Sequence, residues 1–308
     1  MKQFGVILIL VVMGIVWGAT IPLTKVVVST GYQPLGLIFW QLVFSVIVLA
    51  PIALVRRLVF GRGQQSTLTS QTLVYFLVII FLGTLIPNSF SYFSVAQLPA
   101  GVMSIVIASV PMFTLIIALA LGIEKPVMVR IIGVVASAVA VVLLIGPRTS
   151  LPEPEKAIYV VVALVAPISY GFEASYIALR APKHLDPVGT LLGASVMGVF
   201  IAGPLAYFSG AWIDLNIEWQ APEWALLASS IMHVFAYTSY IWLVGVAGVV
   251  FSSQIAYVVT IAGVMISAVA LNETYSTWVW AALALMLVGM ALVQPRTKSV
   301  YPVNDNTV

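Results

Sequence analysis

Apolar residues in this chain come in long unbroken runs, and polar residues gather in short segments between them. Ten runs approach or exceed the 20 or so residues that a helix needs to cross a bilayer. They cover roughly 5–28, 34–55, 72–93, 97–121, 126–146, 157–179, 187–209, 222–245, 248–271 and 275–293. A run of this length predicts a membrane-spanning helix, because in lipid the helix satisfies its backbone hydrogen bonds within the segment itself. Turn-forming residues close most of the runs: Pro34, Pro99, Pro126, Pro147, Pro187, Pro222 and Pro295, with Gly31, Gly61 and Gly63 nearby. The first run follows Lys2, has no small-residue cleavage site and carries Lys25 at its far end, so it reads as a retained span and not as a signal peptide. The predicted fold class is an all-α integral membrane protein of ten transmembrane helices.

Composition agrees. Of 308 residues 62% are hydrophobic and 7% charged, and the mean hydropathy is +1.13. A soluble globular chain carries about a quarter charged residues. The net charge of +3 does not indicate a nucleic-acid partner, which requires Lys and Arg collected on one patch. The absence of Cys excludes a disulfide framework, a Cys-ligated zinc and a thiol nucleophile.

Positive charge sets the expected orientation, since Lys and Arg concentrate in cytoplasmic loops. Ten of them fall on the side of the two termini: Lys2, Arg56, Arg57, Arg62, Lys125, Arg130, Arg180, Lys183, Arg296 and Lys298. The other side has Arg148 and Lys156, with Lys25 near it. Both termini are therefore expected in the cytoplasm, in the inner (plasma) membrane of a cell. The loop bearing Asp214, Glu218, Glu223, Trp212, Trp219 and Trp224 is then expected outside.

The chain also repeats itself. Pro111 to Glu124 (PMFTLIIALALGIE) and Thr260 to Glu273 (TIAGVMISAVALNE) share one form at an offset of 149 residues. Ala100-Gly101-Val102 is answered by Ala247-Gly248-Val249, and Trp17-Gly18 by Tyr170-Gly171. Two units of five spans follow, 5–146 and 157–293, with a tail at 294–308. An odd number of crossings inverts the second unit, as in secondary transporters whose site lies between the halves.

Trp17-Gly18 followed by Lys25, Ala100-Gly101-Val102, Pro111, Glu124-Lys125 and Gly133, and then Ala247-Gly248, Glu273 and Gly289, resemble the EamA type of the drug/metabolite transporter superfamily. That resemblance covers about 5–293. It implies two inverted five-helix repeats around a central cavity and the export or exchange of small metabolites, often amino acids. Three positions depart from the family pattern: Gln41 where Arg is usual, Thr260 where Pro is usual, and Glu173 as an added charge.

Charge inside a span costs roughly 3 kcal/mol or more, which singles out Glu173 two thirds of the way along the sixth run. It has two readings: a structural pair with Arg180 seven residues on, or a coupling acid. His233, near the middle of the eighth run, shares a face with Ser230, Tyr237 and Tyr240, and is either a hydrogen-bonded structural residue or a proton carrier. Lys25 either extends to the interface or attracts a substrate carboxylate. Gln41, Asn88 and Gln254 are uncharged hydrogen-bonding groups that either bridge helices or line a cavity. Pro87-Asn88 and Pro111 free backbone carbonyls at membrane depth. Gly14, Gly18, Gly133 and Gly289 suit close helix packing.

With one Lys inside a span, phosphorylated cargo is disfavoured. The aromatic residues Trp17, Trp40, Tyr92, Tyr170, Tyr176, Tyr237, Tyr240, Trp242 and Tyr257 suit a cationic or zwitterionic substrate through cation–π contacts, with Glu173 as counter-charge. The expected function is a proton-coupled secondary carrier of a small metabolite, an amino acid or small amine. Its candidate site comprises Glu173, His233, Trp17, Gln41, Asn88, Tyr170, Tyr257 and Lys25. Its expected partners are that substrate, protons and the lipid bilayer; no nucleic acid, metal or cofactor is expected. The competing class is a non-transport membrane protein, a lipid scramblase or a structural subunit. An enzyme is disfavoured, since the buried acid and the buried histidine lie at different depths and lack a nucleophile.

Overall fold

The computed structural model describes residues 3–60, 69–182, 185–247 and 254–294, all in helices or short connections with no strand among them. Lys2, Gly61, Arg62, Gly63, Lys183, His184, Gly248, Val249, Pro295, Arg296, Lys298 and the tail from 295 lie outside the described residues. The helices, taken across their interruptions, are α1 (Gln3–Val28), α2 (Pro34–Phe60), α3 (Ser70–Gln97), α4 (Ala100–Ala120), α5 (Met128–Ile145), α6 (Pro154–Arg180), α7 (Pro187–Phe208), α8 (Ala221–Ala247), α9 (Ile255–Ala270) and α10 (Thr277–Val293). Seven of these, α1 to α7, are long and apolar enough to cross a membrane, and α9 and α10 are shorter apolar helices.

Local sequence explains where the helices begin and break. Thr69 and Ser276 cap α3 and α10 through their hydroxyls, and the carboxylate of Asp186 accepts from the Gly189 N–H at 2.6 Å to cap α7. Asp186 also pairs with Arg56 at 2.8 Å, which joins the end of α2 to the start of α7. The run at 97–121 divides at Pro99: α3 continues to Gln97, and α4 opens at Ala100. Inside α4 the helix breaks at Ala108–Ser109 and resumes at Val110, where Pro111 occupies the first turn and needs no N–H partner. A break at Leu164 in α6 likewise precedes Pro167, which has no N–H to offer the Ala163 carbonyl.

Helix neighbours follow a rule of exchange between the halves. α2 packs on α7 and α5 on α10; α1 packs on α8 and α9, and α6 packs on α3 and α4. Replacing each helix by the one five places along leaves these contacts unchanged. Small residues permit the closest approaches: at the α5–α10 crossing Gly133 lies against the backbone of Gly289, and Gly289 against Ser137, so that a β-carbon at either would overlap its neighbour.

Burial is unevenly divided. A single continuous apolar cluster joins Val27, Leu37, Val95, Leu98, Ile105, Leu144, Val160, Ile213, Leu226, Val264 and Met286. Other buried residues form smaller groups: Leu10, Met13, Leu243 and Ile255; Tyr75, Phe76, Ile79 and Ala194; and Leu49, Val188 and Val234.

Candidate functional site

The centre of the molecule is organised by a defect in α3. Pro87 has no N–H, and its ring crowds the carbonyl four residues earlier, at Gly83. The helix widens there into a π turn over Phe81–Leu85, and the Ile86 N–H reaches back to the Phe81 carbonyl. The Leu82 carbonyl thereby loses its helical donor, and the Ser169 hydroxyl of α6 donates to it at 2.8 Å. Beside this bond the Glu173 side chain of α6 lies directly against Gly83, and a β-carbon at Gly83 would overlap the carboxylate. Ion pairs among the described residues join Arg56 to Asp186, Arg130 to Glu124 and Lys156 to Glu153. Glu173 belongs to none of them, and Arg180 is exposed at the end of α6. The intrahelical pair with Arg180 is not formed.

A polar chain runs from Glu173's neighbour Tyr170 across to α2. The Tyr170 hydroxyl donates to Asn88 Oδ1 at 3.1 Å, Asn88 Nδ2 donates to Gln41 Oε1 at 3.2 Å, and the Tyr92 hydroxyl donates to the same Gln41 oxygen at 2.6 Å. Gln41 and Asn88 thus bridge α2, α3 and α6. On the opposite side, α1 and α8 bring four rings together. Trp17 meets His233 edge to face at 5.9 Å between ring centroids, Tyr237 at 6.4 Å and Tyr240 at 6.2 Å, while Tyr237 stacks on His233 at 6.3 Å. Tyr75, Tyr170 and Tyr237 all lie within electrostatic reach of the Glu173 carboxylate. The acid thus has electrostatic neighbours in both the polar chain and the aromatic group. Trp17, Gln41, Asn88, Tyr170, Glu173, His233 and Tyr237 each retain some accessible surface while touching other helices. The Ser230 hydroxyl is directed at the Leu226 carbonyl and not at His233.

Two of the residues singled out in the sequence have other partners. Tyr257 packs against the large apolar cluster, as Tyr92 of the polar chain also does. Lys25 caps α3: its Nζ donates to the carbonyls of Val95 at 2.8 Å, Ala96 at 3.1 Å and Leu98 at 3.0 Å, the helix end at which a cation is favoured. Two residues further on, Glu273 accepts from the N–H groups of Ala100 at 2.7 Å and Gly101 at 3.1 Å, and from the Tyr275 hydroxyl at 2.7 Å. The corner between α3 and α4 is thus gripped by a cation from α1 and an anion from the loop between α9 and α10. Glu124, the repeat counterpart of Glu273, pairs instead with Arg130 at 2.9 Å. Gln254 is also structural, its Nε2 donating to Gln294 at 2.6 Å.

Gly83, which touches Glu173, and Ser169, which bonds the Leu82 carbonyl beside it, are not singled out by the sequence. The available signal was Gly83 four residues ahead of Pro87, the spacing at which a proline disturbs the helix above it.

The chain matches the EamA-like transporter family twice, over residues 3–146 and again over 157–294. A solved structure described as "Crystal structure of protein" is similar at 19% identity, with a TM-score of 0.57 over 95% of this chain and 98% of that one. At that identity the likeness concerns the fold. No curated protein matches the sequence. The two matches together take in nearly the whole chain, and it belongs to the EamA-like transporter family.

Proposed function

We propose that this protein is a secondary active carrier that moves a small metabolite, an amino acid or small amine, across the inner (plasma) membrane in exchange for protons. Ten helices cross the bilayer as two inverted repeats with both termini in the cytoplasm, and the site lies between the halves. The observation that carries this reading is Glu173, an acid of α6 held against the π turn of α3 with no ion-pair partner among the described residues. A carboxyl group in that position is stable when a proton or a cationic substrate neutralises it. The carrier then crosses between its two open forms with one or the other aboard, which is antiport. His233, stacked on Tyr237, is the candidate relay.

The test is uptake into liposomes containing the purified chain under an imposed pH difference. The wild type should concentrate substrate, Glu173→Gln should not, and Glu173→Asp should retain part of the activity. If Glu173→Gln still drives accumulation from a pH difference, the coupling assignment is wrong. Lipid redistribution without solute uptake would instead favour the scramblase reading.

A further inference from the structure

We infer that the cargo is an amine without a carboxylate, and not an amino acid; the inference rests on the carrier reading above and narrows it. It follows from a count of charges at the site. Empty, the site has one carboxylate, that of Glu173. A proton brings it to neutral, and so does a monocationic amine. A zwitterion leaves it at minus one, the charge of the empty site, and so cannot replace the proton in an exchange that depends on neutrality. An amino acid therefore needs a second charge on the protein, a cation facing its carboxylate.

Among the described residues none stands there. Lys25, the cation placed within a span, is committed to the three carbonyls at the end of α3. Arg56, Arg130 and Lys156 are paired with carboxylates, and Arg57, Lys125, Arg148 and Arg180 are exposed. Three of the neutral donors near the acid are also engaged: the Tyr170 hydroxyl and Asn88 Nδ2 with Asn88 and Gln41, and the Tyr92 hydroxyl with Gln41. What the site does present is one carboxylate within electrostatic reach of Tyr237, whose ring belongs to the aromatic group of Trp17, His233 and Tyr240, and aromatic rings near a carboxylate suit an organic cation.

The experiment compares molecules of one skeleton with and without the carboxylate: phenethylamine against phenylalanine, tyramine against tyrosine, and isopentylamine against leucine. Binding to the purified full-length protein is followed by calorimetry in weak buffer, with proton release recorded. In each pair the amine should bind at least tenfold tighter and release a proton, and Glu173→Gln should remove the preference. Gln41→Arg, which places a guanidinium on the polar chain, should raise the amino acid relative to its amine at least tenfold. The inference is overturned if the amino acids bind as well as the amines, or if no amine binds to a protein that melts cooperatively. Tighter amino-acid binding with pH-driven uptake intact would remove this inference and leave the carrier reading standing. Amine binding with proton release but no uptake would do the reverse.

Discussion

The carboxylate of Glu173 rests on Gly83, on the turn of α3 that Pro87 widens. This contact gives the first prediction. Gly83→Ala should displace the acid and reduce pH-driven uptake about as far as Glu173→Gln does. In a Glu173→Ala background the same substitution should be almost harmless, because the space is then free. A double-mutant cycle on thermal stability should show coupling of about 1–3 kcal/mol; additive effects would mean that the two residues do not share the space.

Lys25 should behave as a helix cap and not as a substrate ligand. Lys25→Met removes charge-assisted bonds to three carbonyls and should destabilise the protein by about 1.5–3 kcal/mol. Affinity for substrate in the surviving folded protein should be unchanged. A large loss of affinity at full stability would return Lys25 to the binding site.

Glu273 should matter for the same corner. Glu273→Gln keeps the shape but weakens the bonds to the Ala100 and Gly101 N–H groups, at a cost of about 1 kcal/mol. Gly101→Ala should cost more, because a β-carbon there meets the Tyr275 hydroxyl. Tyr275→Phe should relieve part of that loss, and melting curves of the three variants provide the check.

Tyr32, in the loop between α1 and α2, donates to Glu223 at the start of α8. That hydrogen bond, followed by burial and the charge of Glu223, pushes the phenol up to about 12. A raised acid favours its neutral form, so this contribution to stability is present in full below the unfolded value of about 10 and is lost as pH rises towards 12. Spectroscopic titration of the wild type and of Glu223→Gln should differ by one tyrosine, Tyr32, which the substitution moves back towards 10.

Orientation is tested by single cysteines, which have no background in a chain without Cys. Cysteine at Asn216 should react with a membrane-impermeant reagent in intact cells. Cysteine at Ser66 or Ser299, both outside the described residues, should be protected. The opposite pattern would reverse the proposed orientation.

The helical class was legible in the sequence because a run of about 20 apolar residues has few other solutions in lipid. The repeat was legible because Glu124 and Glu273 end matching segments. What the runs could not convey was partnership. Gln41, Asn88 and Tyr170 come from three helices, and no spacing along one helix reveals that they form one chain. Lys25 shows the same limit: its position near a helix end was readable, but the three carbonyls that receive it belong to a segment some seventy residues away. Tyr257 shares its residue type with Tyr237 but not its neighbours, and only packing separates the two.

The π turn in α3 also changes how the rest of that helix must be read. An α-helix advances about 100° per residue, so a turn holding one residue more shifts the phase of everything after it by about that angle. A helical wheel drawn through Ser70–Ile80 and continued past Leu85 therefore assigns Asn88 and Tyr92 to the wrong side. Removing a single residue from Phe81–Leu85 would shift the phase back by about 100° and turn both side chains away from Gln41. The interior face of α3 is thus set by an insertion of one residue, and alignments across this segment need a gap there whenever a relative lacks the turn.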